Sequence, residues 1–204
     1  MQYKTHIVTS LAVALPVLSA TGTLGAASIA AICLGSVFPD IDEPRSWIGK
    51  RTRGISDGTN KLLGHRGLTH SLLAVGIVAA VALLLAYIFQ FRLSIAICFA
   101  AGYLLHLIED SFSKSGLAWL LPFSSKRIQS GFGVIYYTTG SVIEKLFFLA
   151  MLLILIYQVI QMDFSPVVNT ANAGLQGLAD KIRGVEFSEL VENALNGIKS
   201  FFGV

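Results

Sequence analysis

Four histidines and a few acids carry the chemistry open to this sequence. His106 and Asp110 stand four residues apart, which on a helix puts both side chains on one face, one turn apart. A neutral imidazole nitrogen and a carboxylate oxygen are ligands for zinc or another divalent ion. The same pair also reads as a hydrogen bond within one helix, with no metal. A second cluster is His65-Arg66-Gly67-Leu68-Thr69-His70. Gly67 suggests a bend, Thr69 a helix cap, and His70 at the helix start can point into a shared site. His65 is either a further ligand or a phosphate contact. Arg66 either grips a phosphate bidentately or is one of many basic anchors. The third cluster is Phe38-Pro39-Asp40-Ile41-Asp42-Glu43-Pro44. If this stretch is extended, Asp40 and Asp42 point the same way. One would then bind metal while the other orients water or acts as a base. A solvated acidic turn is the plainer alternative. His6 opens the first apolar run.

These residues lie more than 100 positions apart, so the elements between them must bring them together. The chain has 204 residues, enough for one domain. Apolar residues make up 54 %, charged ones 13 %, and the mean hydropathy is +0.69. Soluble domains carry about a quarter charged residues. This composition excludes an ordinary soluble domain, and a net charge of +3, dispersed along the chain, gives no footprint for nucleic acid. Cys33 and Cys98 sit inside apolar runs without metal-type spacing, and read as small packed hydrophobes.

Four apolar regions cover residues 7–38, 71–89, 93–108 and 142–160. The first is interrupted by Pro16 and by the small polar residues 19–23. Its start resembles a signal peptide, but a second apolar run follows at once and favours a hairpin of two short helices, 7–18 and 24–37. The second and third regions form another hairpin around Gln90. The fold class is therefore all-α: an integral membrane helical bundle of about five segments, two hairpins plus one span, with a C-terminal amphipathic helical tail. The membrane-embedded domain is expected over 1–162 and the tail over 163–204.

Two hairpins return His6, Asp40, Asp42, His65, His70, His106 and Asp110 to one side of the membrane. Lys50, Arg51, Arg53, Lys61, Arg66, Lys126 and Arg127 lie on that side too, which marks it as cytoplasmic. The tail, with Leu175, Leu178, Ile182 and Val185 and then Phe187 to Phe201 at helical spacing, lies on the membrane surface or forms an oligomer contact.

The run Phe38-Pro-Asp-Ile-Asp-Glu-Pro-Arg-Ser-Trp-Ile-Gly, then Gly64-His-Arg-Gly-Leu-Thr-His-Ser-Leu-Leu, then Gly102-Tyr-Leu-Leu-His-Leu-Ile-Glu-Asp, resembles the YdjM-like family of membrane-bound, metal-dependent hydrolases. The resemblance covers roughly residues 1–125 and includes Gly116 to Pro122. That family is in turn distantly similar to zinc-dependent phospholipases C. By this resemblance His6, Asp40, His70, His106 and Asp110 are metal ligands, with Asp42 and His65 matching less closely. The phospholipases have further histidines, whereas none follows His106 here, so one or two divalent ions, zinc foremost, are expected rather than three. Glu144 is a candidate extra carboxylate.

The resulting expectation is a hydrolase of a prokaryotic inner membrane, its site facing the cytoplasm. Its substrate would be a membrane lipid or lipid phosphate, cleaved at a phosphoester by metal-activated water. Asp40 or Asp42 would orient that water, and Arg66 would offset phosphate charge, with Lys126 or Arg127 assisting. The alternative is a non-enzymatic membrane protein whose metal site is structural or passes ions.

Overall fold

The computed structural model describes residues 1–63 and 67–184. Among them seven α-helices follow one another: α1 (Tyr3–Ala20), α2 (Ala26–Gly35), α3 (Arg53–Leu63), α4 (Leu72–Ile88), α5 (Leu93–Ser111), α6 (Val142–Gln161) and α7 (Ser165–Gly184). No strand is formed among the described residues; the stretch from 112 to 140 holds only two isolated bridges, Ser113 to Tyr137 and Leu117 to Ile128. The all-helical expectation holds. α5 and α6 are long and apolar enough to cross a membrane, whereas α2 and α4 are shorter. At 1.5 Å per residue α2 extends only about 15 Å.

Local chemistry explains the helix ends. Ser71 accepts from Ala74 N at 3.2 Å and caps α4; Ser141 accepts from Glu144 N at 3.3 Å and caps α6. Thr69, expected as a cap, is not one, because Ser71 stands at the spacing the cap requires. Asp163 accepts from both Ser165 N and Ser165 Oγ at 2.8 Å before α7. Those two bonds hold its carboxyl below the usual carboxylate range.

Pro16 does not interrupt the first helix as expected; it lies inside α1. A helical proline leaves the carbonyl four residues back without a donor. Here Gln158 Nε2 of α6 donates to Ala12 O at 3.0 Å, which satisfies that carbonyl and ties α6 to α1. The chain then turns at Gly22, φ +65°, so α1 and α2 form the expected hairpin.

The core lies where α1, α2 and α5 meet, around Leu15, Leu18, Ile32 and Cys98. α2 and α5 approach at backbone distance. A Cβ on Gly35 would stand 2.1 Å from Phe99 O, and one on Gly102 would stand 2.4 Å from Ile32 O. Small residues at such crossings let membrane helices touch where no hydrophobic force distinguishes neighbour from lipid. α7 closes the far end, with Thr170 Oγ1 accepting from Ala26 N at 3.1 Å. Its Leu175 and Leu178 are exposed. The tail positions from Val185 to Phe201 lie outside the described residues.

Because the clash is with backbone, Gly102→Ala should destabilise the protein by about 1–3 kcal/mol, the usual cost of overpacking. Gly76, in α4 with open space around it, is the control: Gly76→Ala should leave the melting temperature unchanged or slightly raised. Thermal unfolding in detergent compares the two.

Candidate metal centre

The hairpins bring His6, Asp40, Asp42, His70, His106 and Asp110 to one end of the bundle, contributed by α1, the 3-10 turn Phe38–Asp42, the 3-10 turn Leu68–His70 and α5. His65 and Arg66 lie outside the described residues. His6, His70, His106, Asp42 and Asp110 are at most 1 % exposed.

Each buried histidine is held by Nδ1. His106 Nδ1 lies 2.8 Å from Ser36 O. A carbonyl only accepts, so Nδ1 carries the proton and Nε2 a lone pair. His6 Nδ1 lies 2.6 Å from Glu109 Oε2, and Ser10 Oγ donates to the other carboxylate oxygen at 2.9 Å. His70 Nδ1 lies 3.2 Å from Asp42 Oδ2, while Thr69 Oγ1 donates to that same oxygen. An imidazole whose far nitrogen donates to a carboxylate or carbonyl is the usual arrangement of a metal-binding histidine.

The Nε2 atoms are left facing one another. His106 Nε2 and His70 Nε2 stand 3.3 Å apart. Two lone pairs at that separation repel unless a cation or a shared proton lies between them. Asp40 Oδ1 completes the group, 3.7 Å from His106 Nε2 and 3.8 Å from His70 Nε2. A tetrahedral zinc site with bonds of about 2.0–2.1 Å has donors about 3.3–3.4 Å apart. The observed separations match that or exceed it by a few tenths of an ångström.

A second group shares His106. The His6 and His106 rings stack with centroids 3.9 Å apart. Donor atoms of His6, His106 and Asp110 lie within 4.8 Å of one another. His6 Nε2 is buried without a hydrogen-bond partner, and Asp110 Oδ1 is 3.5 Å from it. Asp110 Oδ1 also meets the Met1 ammonium at 2.8 Å and the Tyr137 hydroxyl, which donates at 3.0 Å. This corner therefore already accepts a positive charge. The donor set of imidazole nitrogens and carboxylate oxygens fits a zinc-type divalent ion.

Asp40 differs from the other candidates in being reachable. Its side chain is 18 % exposed and borders a cavity of about 370 Å³ lined by Gln2, Tyr3, Glu43, Arg45, Ser46, Trp47 and Thr139.

Asp40 and Asp42 were expected to share a direction on an extended stretch. Pro39 instead lies in the first two positions of a 3-10 turn, where successive residues rotate by about 120°. Asp40 consequently faces the Nε2 atoms and Asp42 faces Nδ1 of His70. Glu144 is not among the metal-binding groups of the described residues. It accepts from Gln2 N at 2.6 Å, Gly140 N at 2.5 Å and Thr5 Oγ1 at 3.2 Å, and so fastens α6 to the first turn of α1. Arg127 donates to Ser115 O and Gly116 O at 2.9 and 2.8 Å and braces the 112–140 stretch; Lys126 is exposed. Glu109, Tyr137 and Ser36 are contributors that the motifs did not single out. Glu109 had a signal: three residues from His106 and next to Asp110, it shares their helix face.

An all-helical bundle with apolar helices and a buried histidine–aspartate cluster at one end defines a helical membrane protein with a candidate metal centre. The chain belongs to the family described as YdjM inner membrane protein, which matches residues 1–165. It is 38 % identical over 90 residues to the inner membrane protein YdjM of Escherichia coli (strain K12), a match covering 44 % of this chain and 46 % of that protein. The protein of the same name from Shigella flexneri gives the same identity and coverage. The matched region thus spans about half the length of these curated relatives. No solved structure matches the chain significantly.

The facing Nε2 atoms predict that added zinc stabilises the fold. At a free concentration 100 times Kd the gain is about 2.7 kcal/mol, visible as a rise in melting temperature. His106→Ala should abolish that rise. Glu109→Ala, which removes the acceptor behind His6, should require about 10–100 times more zinc for the same shift.

Proposed function

We propose that this protein is a membrane-embedded, metal-dependent hydrolase that cleaves a phosphoester of a lipid or lipid-linked substrate. The observation that carries the reading is the pair of imidazole Nε2 atoms 3.3 Å apart, each fixed from behind, with Asp40 beside them at the rim of an open cavity. Membership of the YdjM family supports the membrane setting. The phosphoester class rests on the resemblance of the Thr-His-Ser and His-x-x-x-Asp motifs to zinc-dependent phospholipases C.

His106 Nε2 would hold an ion together with His70 Nε2 and Asp40, or with His6 Nε2 and Asp110, the two groups that share it. A bound divalent ion supplies a Lewis acid and lowers the pKa of water. Asp40 is the side chain to orient that water, because it alone of the group meets the cavity. Asp42, behind His70, is a positioning residue rather than the base. Arg66 remains the candidate for offsetting phosphate charge. In this reading all five helices α1, α2, α4, α5 and α6 enter the bilayer of a prokaryotic inner membrane. The centre faces the cytoplasm with Lys50, Arg51 and Arg53.

A metal that only ties the hairpins together is the competing reading, favoured by the burial of every ligand but Asp40. One experiment separates them: zinc content and phosphodiester hydrolysis of the purified protein. His70→Ala and His106→Ala should lose both metal and turnover. Asp40→Asn at saturating zinc should keep metal and lose about 10²–10⁴ in kcat. Asp42→Asn should recover turnover when zinc is raised about 10–100-fold. A zinc-loaded parent inactive on phosphoester, ester and amide panels would favour the tie.

A further inference from the structure

A second cavity shares Met1 with the polar one. Its walls come from α1 (Thr9, Val13), α5 (Leu105, Ile108) and α6 (Ile143, Phe147), and it measures about 320 Å³. These walls are apolar apart from Thr9. Met1, Glu109 and Tyr137 also line it, yet it exposes almost no polar surface. Met1 borders both cavities, so the apolar one ends beside the chamber that holds Asp40.

We propose that this groove holds the single alkyl chain of a lipid phosphate, its head reaching over Met1 to the Asp40 chamber. The proposal rests on the hydrolase reading only for what becomes of that chain's head group. Size selects the occupant. An apolar cavity of about 150 Å³ holds one benzene ring, so about 320 Å³ has room for roughly a dozen carbons. One turn of helix, about 10 Å across and 5.4 Å in pitch, fills roughly 400 Å³ and is too large. Setting selects it as well. Val142, Leu146, Leu149 and Leu153 leave the outer face of α6 apolar and exposed, and only hydrocarbon covers such a surface at low cost. The groove is therefore apolar throughout, has exposed walls at Val13 and Ile143, and adjoins at Met1 the polar chamber of Asp40, Glu43 and Arg45. This is the polarity of an amphiphile with one tail. Glu109, which seats His6 from behind, is one of the lining residues, so the groove lies at the metal-binding end of the bundle.

The test uses the full chain in phosphatidylcholine nanodiscs and dodecyl phosphate carrying a terminal diazirine. Photolysis followed by peptide mass spectrometry should place label on Val13, Ile108 and Phe147 in the unaltered protein. Ile143→Trp and Val13→Trp, which fill the groove from different walls, should cut that label at least fivefold with zinc content and helicity unchanged. Leu153→Trp, on the outer face of α6, should leave it as it was. Label spread evenly over Leu146, Leu149 and Leu153 would overturn the proposal, because the probe would then be reporting ordinary surrounding lipid. So would groove label that both filling variants leave intact. His106→Ala separates the two readings: it should lose zinc and keep the groove label. Groove label in a parent that neither holds zinc nor hydrolyses phosphoesters would sink the hydrolase reading and leave the groove assignment standing.

Discussion

The hydrogen bond from His106 Nδ1 to Ser36 O is the contact on which the centre depends. It exists because α2 and α5 cross at Gly35 and Gly102, where neither backbone tolerates a Cβ from the other. The close crossing sets a carbonyl against an imidazole at 2.8 Å and fixes its tautomer. From that one fixed ring the rest follows. Nε2 of His106 must present a lone pair, and both groups of potential ligands share this residue. In the membrane setting such polarity is costly unless it is paired, and here each buried imidazole is paired on its Nδ1 side.

The supporting shell is built from elements distant in sequence. α1 brings His6, and its first turn is fastened by Glu144 from α6. Its proline defect is mended from α6 by Gln158. The 3-10 turn at Phe38–Asp42 brings two carboxylates that face opposite nitrogens of His70. The irregular stretch 112–140 folds back so that Tyr137 reaches Asp110, and Leu72 N at the start of α4 donates to Trp119 O at 2.9 Å. Asp40 alone stands at the edge of this buried cluster, which separates the group that can meet solvent from those that hold geometry.

Much of this was legible in the sequence. The two hairpins follow from where apolar runs stop, and their return explains why His6, Asp40, His70, His106 and Asp110 share an end. Spacing alone predicted His106 and Asp110 on one helix face. What spacing could not supply was the conformation of short polar stretches. Asp40-Ile41-Asp42 alternates like a strand, yet Pro39 presets a 3-10 turn and sends the acids apart. Pro16 read as a break because the donor that compensates for it lies 142 residues later, in α6. Ser36 acts through its backbone carbonyl, which no side-chain pattern encodes. Tyr137 reaches the site through loop geometry, and Glu144 looked like a spare ligand because an acid that caps a helix carries the same letter as one that binds metal.

Zinc-edge X-ray absorption of the protein loaded with one equivalent of zinc tests the central claim most directly. The account predicts nitrogen and oxygen donors at about 2.0–2.1 Å, with the outer-shell scattering of two imidazoles, falling to one or none in His106→Ala, the residue both groups share. A first shell containing sulfur, or one without imidazole scattering, would contradict it.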